Sequence, residues 1–378
     1  MESEFLDYIY NKNRALKYTK KPIISWVCTY TPIEIITAAG FHPYRILPNT
    51  DPSLAISYLD SNFCPYVRSC LGEALDKKSE YADNLIIVNS CDAMRRLYDA
   101  WRHYIQGNFI YFLDLPRDDS MKDIQYYQDN LQSLIDGLEE KFKIKISEDS
   151  LYRAILICNK TRELLAELFD LYLNEKVSLS AVEFLQIVKG SMSFPQEEYN
   201  GLLEKFIKGV KTEDKILSDD SQIKNKSKIL ITGTIMDDLS IAEVIEDYGG
   251  KIVFVDMCTG NRYFQNQIPL KTSKKINNNP LRLLAEYYLN KTPCPRMRNL
   301  EKRWEYLLKI IKENQVKGLI FYNLKFCDTS FFELPIIRER LQKYKIPSLC
   351  LEGEFTSSTS GRIKTRIQAF LEVLEFAG

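Results

Sequence analysis

The chain is short of histidine, carries no excess of either charge and contains no long apolar run. Only two histidines, His42 and His103, occur in 378 residues. That leaves little material for a Ser-His-Asp triad or for a histidine-rich zinc or non-haem iron centre. Lysine plus arginine number 51, as do aspartate plus glutamate. Without a global basic field the chain is not expected to bind nucleic acid or acidic membranes as its main task. No stretch approaches the roughly 18 apolar residues of a membrane span. The opening segment MESEFLDYIYNKNRALKYTKK lacks the apolar core of a signal peptide. A cytoplasmic protein is therefore expected. Three motifs are also missing. There is no C-x2–4-C pair of the kind that marks structural zinc sites and no C-x-x-C-x-x-C run of the small ferredoxins. There is no G-x-x-x-x-G-K-S/T phosphate loop, since GTIMDD (233–238) and GRIKTR (361–366) both fail the pattern.

What is present is an apolar fraction of 45% and nine cysteines. The length suits two or three domains of roughly 150 residues. In a reducing compartment the cysteines are expected to stay thiols, and an odd count does not suit a disulfide framework.

The order of elements points to a duplicated α/β fold. Strand 22–27, a helix from Pro32 to Ala39 ending at Gly40, strand 44–47, strand 84–88, helix 93–104 and strand 110–113 form a first set. A second set starts at strand 229–231. It continues with helix 238–247, strand 251–255, helix 303–313, strand 319–322, helix 333–345, strand 348–351 and helix 362–376. Alternation on this scale implies parallel sheets. Between the two sets, LQSLIDGLEEKF, DSLYRAILICNKTRELLAELFDLYL and EEYNGLLEKFIKGV carry apolar residues at helical spacing, and 211–228 reads as a charged linker. The expected division is an α/β domain over 1–120, a helical segment with linker over 121–225 and a second α/β domain over 226–378.

The halves also share unusual residues. NFCPYVR (62–68) and TPCPRMR (292–298) both contain Cys-Pro-x-x-Arg, and NLIIVNSCD (84–92) and GLIFYNLKFCD (318–328) both run from a buried strand into Cys-Asp. Cys64, Cys91, Cys294 and Cys327 lie in these repeats. Cys28 follows the first strand of one half and Cys258 the second strand of the other, so the equal intervals from Cys28 to Cys64 and from Cys258 to Cys294 do not make Cys28 and Cys258 equivalent. All six are expected in loops past the carboxyl ends of strands, where open α/β sheets bind ligands and helix amino termini favour thiolates. Cys70, Cys158 and Cys350 read as packing residues. From spacing alone, the six suit iron and sulfur better than zinc. Asp92 and Asp328 are candidate helix caps or solvent-facing turn residues. Arg68 and Arg298 could donate to sulfur, pair with those aspartates or form other salt bridges. His42 reads as a surface or turn histidine, and Tyr30 could face the site as a proton donor.

SWVCTYTPIEIITAAGFHPYRIL (25–47) resembles the amino-terminal segment of the 2-hydroxyacyl-CoA dehydratase and benzoyl-CoA reductase superfamily. The resemblance continues through VNSCDAMRRLYDAW, MCTGNRYF, FYNLKFCDTSFFELP and GRIKTRIQAFLE, and so covers nearly the whole chain. It implies two flavodoxin-like, Rossmann-like α/β domains with an iron–sulfur cluster at their interface. Cys64, Cys91 and Cys327 match positions that look like cluster ligands across the superfamily. Cysteines at all six places resemble the double-cubane cluster proteins, in which Cys28, Cys64, Cys91, Cys258, Cys294 and Cys327 would hold an 8Fe–9S cluster. The resemblance further implies a homodimeric reductase of a small molecule, fed electrons by an ATP-hydrolysing iron–sulfur activator protein. The alternatives are a 2-hydroxyacyl-CoA dehydratase or benzoyl-CoA reductase-type subunit with a single 4Fe–4S cluster, paired with a paralogous subunit, and a non-catalytic electron-transfer protein. The catalytic residues and the substrate are not specified by these motifs.

Overall fold

A computed structural model of the chain describes residues 5–6, 9, 19–76, 80–212, 226–236, 238–270, 279–355 and 361–376. Strands β1 (Ile23–Trp26), β2 (His42–Arg45), β3 (Asn84–Val88) and β4 (Phe109–Leu113) form one sheet in the order β2-β1-β3-β4. Strands β5 (Ser227–Gly233), β6 (Gly250–Asp256), β7 (Gly318–Leu324) and β8 (Ser348–Gly353) form a second in the order β6-β5-β7-β8. Every strand pair is parallel. Segments such as IISW, NLIIV and GLIFYNL are β-branched, aromatic and buried along nearly their whole length. This continuous apolar character is what a sheet covered on both faces requires. The chain thus contains two flavodoxin-like units, each with its topological switch point between the first and third strands. At the second switch point the chains approach closely. Gly233 lies at φ 140°, and a Cβ there would meet the Tyr322 carbonyl oxygen at 2.0 Å.

In the first unit α1 (Ile33–Ala38), α2 (Pro65–Asp76) and α3 (Asp92–Ala100) connect the strands. The helix expected over 93–104 is α-helical to Ala100 and then widens into a π turn over Trp101–Ile105. Four helices follow β4: α4 (Met121–Phe142), α5 (Glu148–Leu173), α6 (Ala181–Gly190) and α7 (Gln196–Thr212). Only three were legible from apolar spacing, because more than half of α6 (AVEFLQIVKG) is buried and no single apolar stripe stands out. Its start is nevertheless marked by a capping box in which Ser180 and Glu183 each accept from the other's backbone N–H. The second unit holds α8 (Ser240–Asp247), α9 (Asn261–Phe264), α10 (Pro280–Asn290), α11 (Leu300–Glu313), α12 (Asp328–Lys343) and α13 (Gly361–Phe376). Neither α2 nor α10 was expected. Most of the charged 211–228 segment lies outside the described residues.

Helix α5 joins the two units. Its Arg162 pairs with Glu34 of α1, and both side chains are buried. Glu34 also accepts from the Tyr288 hydroxyl at 2.8 Å. Farther along α5, the Tyr172 hydroxyl donates to the Ile252 carbonyl of β6 at 2.7 Å. Asn159 exchanges two hydrogen bonds with the backbone of Ile268, at 2.8 and 2.9 Å. One continuous apolar core accordingly includes Ile24 and Leu85 of the first sheet together with Ile229 and Tyr322 of the second.

His42 departs from the expectation of a surface or turn residue. It opens β2 and is buried, with Nε2 2.9 Å from the Ser193 carbonyl. Its neighbour Pro43 is tolerated in a strand because β2 is an edge. Burial pulls the His42 pKa down to about 4.

Two outcomes are expected. Arg162→Met should leave Glu34 as an unpaired buried charge and cost about 3–5 kcal/mol in urea unfolding. Pairing it with Glu34→Gln should restore much of that loss. Secondly, the unfolded chain takes up a proton at His42 near pH 6.5 while the folded chain resists until about pH 4. Stability should therefore hold above that window and fall through it on acidification, by at most about 1.4 kcal/mol per pH unit from this group. His42→Gln should remove that component of the pH profile.

Candidate functional site

The strand ends deliver the predicted cysteines to one region, though not all by the expected route. Cys28 lies two residues past β1 and Cys258 two residues past β6. Cys91 and Cys327 are the N-cap residues of α3 and α12, following β3 and β7. Cys64 and Cys294 do not follow strands directly. Cys64 comes after a 3-10 turn (Pro52–Ala55) and immediately precedes α2, while Cys294 lies in the loop between α10 and α11. In both units this is the approach to the helix that crosses from the second strand to the third, so the Cys-Pro repeat is topologically real. Its local geometry differs. Pro65 opens α2, whereas α11 starts only at Leu300, capped by Asn299 Oδ1 accepting from the Lys302 N–H at 2.9 Å.

Asp92 and Asp328 do not cap. Each is the first residue of its helix, exposed, where a carboxylate complements the helix dipole. Arg68 and Arg298 do not pair with them. Arg68 is buried and donates to the carbonyls of Phe63 (3.1 Å) and Pro52 (3.4 Å), bracing the loop that carries Cys64. The Arg298 side chain is exposed, and its backbone N–H donates to the Arg117 carbonyl at 3.0 Å across the two units.

Most of the cations that do face the sulfurs carry no motif that marks them in the sequence. Arg296 donates to Cys294 Sγ at 3.1 Å and interacts electrostatically with Cys28, Cys64, Cys91 and Cys327. Arg45, at the end of β2, donates to Cys258 Sγ at 2.9 Å and to the Cys258 carbonyl at 2.6 Å. The Cys28 and Cys91 thiols act on Arg117, and those of Cys28, Cys258 and Cys294 on Lys291. Arg262 and Arg303 act on Cys294 while sharing the buried Asp256, at 3.1 and 3.0 Å. A clue was available for two of them: Arg296 directly follows Cys-Pro, and Arg45 closes a strand.

These surroundings separate the thiols. Burial pushes the Cys294 thiol up, but the charges of Arg296 and Arg262 and a hydrogen bond from Arg296 outweigh it and hold the group at about 7. Cys64 is pushed up to about 12 by burial and then by Cys327 and Cys91. Burial likewise raises Cys28. Tyr30 is buried at the site; its hydroxyl accepts from the Cys294 N–H at 3.3 Å, and burial followed by the nearby thiols raises its pKa. Among the described residues, no group of three or more His, Cys, Asp or Glu side chains is arranged to hold a single metal ion. Five of the thiols are spread around Arg296, and Cys258 lies against Arg45. Of the three remaining cysteines, Cys158 is buried in α5 and Cys350 lies in β8, whereas Cys70, buried in α2, is within electrostatic reach of Cys64 and Arg45. Among the described residues no helix is long and apolar enough to cross a membrane.

Residues 28–374 match the family described as 2-hydroxyglutaryl-CoA dehydratase, D-component. The chain is similar to a benzoyl-CoA reductase subunit of Thauera aromatica, 24% identical over 94% of this chain and 91% of that one. It is similar to the putative dehydratase subunit YjiM of Escherichia coli (strain K12), 26% identical over 95% and 93%. It is also similar to the (R)-phenyllactyl-CoA dehydratase beta subunit of Clostridium sporogenes, 22% identical over 98% of each.

In the metal-free chain Cys294 should be the thiol of this site alkylated fastest at neutral pH, as read by mass spectrometry of each cysteine. Arg296→Met should move its half-reaction pH from about 7 back toward the ordinary 9.0 and slow labelling at pH 7. A slowing of roughly tenfold or more is expected.

Proposed function

The chain belongs to the 2-hydroxyglutaryl-CoA dehydratase D-component family, and from that premise we propose that it is a cytoplasmic iron–sulfur enzyme that reduces a small molecule. Electrons would come from a separate ATP-hydrolysing iron–sulfur activator, and the working form would be a homodimer. The observation that carries this reading is the gathering of six cysteines from two sheets around buried guanidinium groups. The donor chemistry fits the group: thiolates are the usual ligands of iron–sulfur clusters, and neighbouring cations offset the negative charge that thiolates and sulfide bring. Cys28, Cys64, Cys91, Cys258, Cys294 and Cys327 would hold a double-cubane 8Fe–9S cluster. When bound, it would supply electrons at low potential, tuned by charge and hydrogen bonding. The chain's own groups orient the ligands. Arg45 fixes Cys258 by both sulfur and carbonyl, and Arg296 fixes Cys294. Arg68 braces the Cys64 loop, and the two N-cap positions hold Cys91 and Cys327 at positive helix ends.

A second reading is a dehydratase or acyl-CoA reductase subunit with one 4Fe–4S cluster on Cys64, Cys91 and Cys327, paired with a paralogous subunit. The mutual influence of these three thiols and the names of the relatives favour it. Anaerobic purification with iron and acid-labile sulfide counting separates the two. About eight irons per chain are expected for the first and about four for the second. Iron-free protein carrying zinc overturns both. Cys294→Ser should lower the iron count in the double-cubane case, and an unchanged count and spectrum supports the second reading.

A further inference from the structure

Two neighbouring strands of the first sheet lead into the thiol site. β1 and β3 are paired, with Trp26 opposite Ile86. The loops that leave them carry Cys28 and Ser90, each two residues past its strand. Ser90 is 1% exposed, and its hydroxyl is buried without a hydrogen-bond partner among the described residues. Buried hydroxyls in folded proteins are nearly always satisfied. The backbone of Ser90 is held on both sides: its N–H donates to the Val88 carbonyl at 2.6 Å, and its carbonyl accepts from Arg117 at 2.7 Å. Only rotation about the Cα–Cβ bond redirects the hydroxyl.

The group on which this hydroxyl acts is the Cys28 thiol. Burial raises the Cys28 pKa, and Arg296, the Tyr30 N–H and the Ser90 side chain oppose that rise. A side chain that favours thiolate over thiol does so by donating to sulfur. A neutral thiol is a weak acceptor, whereas an anionic one accepts strongly. The acceptor in reach of Ser90 is therefore sulfur, and it becomes a good one when Cys28 is a thiolate. The matching position ahead of Cys327 holds Phe326, which has no side-chain donor, so the contact belongs to the first unit alone.

We propose that the Ser90 hydroxyl donates a hydrogen bond to the Cys28 sulfur when that sulfur is a cluster ligand, which makes Ser90 a positioning residue that raises the potential of the bound cluster. This rests on the iron–sulfur reading with Cys28 among the ligands. Reduction adds negative charge to a group whose thiolates are already anionic. A donor at sulfur stabilises the reduced state more than the oxidised one, so its removal makes the cluster harder to reduce.

The test is protein-film voltammetry of the anaerobically purified full chain, with iron and acid-labile sulfide counted on the same samples. Ser90→Ala should keep its iron. At the midpoint potential of the unmodified protein its ratio of reduced to oxidised cluster should fall about tenfold, a shift of about 59 mV to lower potential for one electron. Ser90→Thr keeps the hydroxyl and should stay near the unmodified midpoint. An unmoved midpoint in Ser90→Ala at full iron content, or an equal shift in both variants, overturns the role of Ser90 and leaves the iron–sulfur reading standing. Unmodified protein without iron overturns both. If Ser90→Thr does not fold, deuterium exchange decides. An exchangeable deuteron coupled to the reduced cluster, read by electron–nuclear double resonance, should be lost in Ser90→Ala. Its persistence there assigns the bond to water and overturns the proposal.

Discussion

Arg296 sets a guanidinium beside Cys294 and within electrostatic reach of Cys28, Cys64, Cys91 and Cys327. Sulfur becomes useful as a ligand or nucleophile when it is a thiolate, and a thiolate away from water needs a counter-charge. Buried cations need partners too, and the fold provides them in a second layer. Arg303 is held by Asp256, Thr232, Glu333 and the Pro293 carbonyl, and Arg262 shares Asp256. Arg45 rests on the Cys258 carbonyl and the Trp26 ring. Taking away one member leaves another buried charge exposed to the same penalty, so the site behaves as one electrostatic unit.

That unit exists only if the carboxyl edges of two separate sheets stay together. Backbone and side-chain contacts that cross between the halves do this at the site, among them Arg298 on Arg117, Lys302 on Asp119 and Cys294 on Tyr30. Helix α5 does it from behind, gripping α1 through Glu34 and β6 through Tyr172. The helical segment is thus part of the clamp that sets how the two edges meet.

The duplication explains part of the site and its departures explain the rest. Cys91 and Cys327 are equivalent N-caps, and Cys64 and Cys294 occupy equivalent places in the connectivity. Cys28 and Cys258 break the symmetry, one arising after β1 and the other after β6. The loop of Cys294 departs from that of Cys64 by delaying its helix, and the intervening residues include Arg296.

The strands were legible because burial on both faces demands unbroken apolar β-branched runs, and the repeated Cys-Pro and Cys-Asp motifs identified the thiols because few other residues do their chemistry. Helices α2 and α10 were not legible, since α2 opens on the Cys-Pro motif itself and α10 starts at the end of the run Asn277-Asn278-Asn279-Pro280, which reads as loop. Arg68 and Arg298 stand out in the sequence as a repeated pair, yet they brace a loop and face solvent, while Arg296, Arg45 and Lys291 carry the charge at sulfur. His42 looked like a turn residue and is a buried strand residue. The two parallel sheets, the thiols that directly follow four of their strands and the family could all be read from the residues alone. Which cations meet which sulfurs became visible in the folded chain, because that pairing depends on two sheet edges brought together by α5 and on distances that no spacing along the chain encodes.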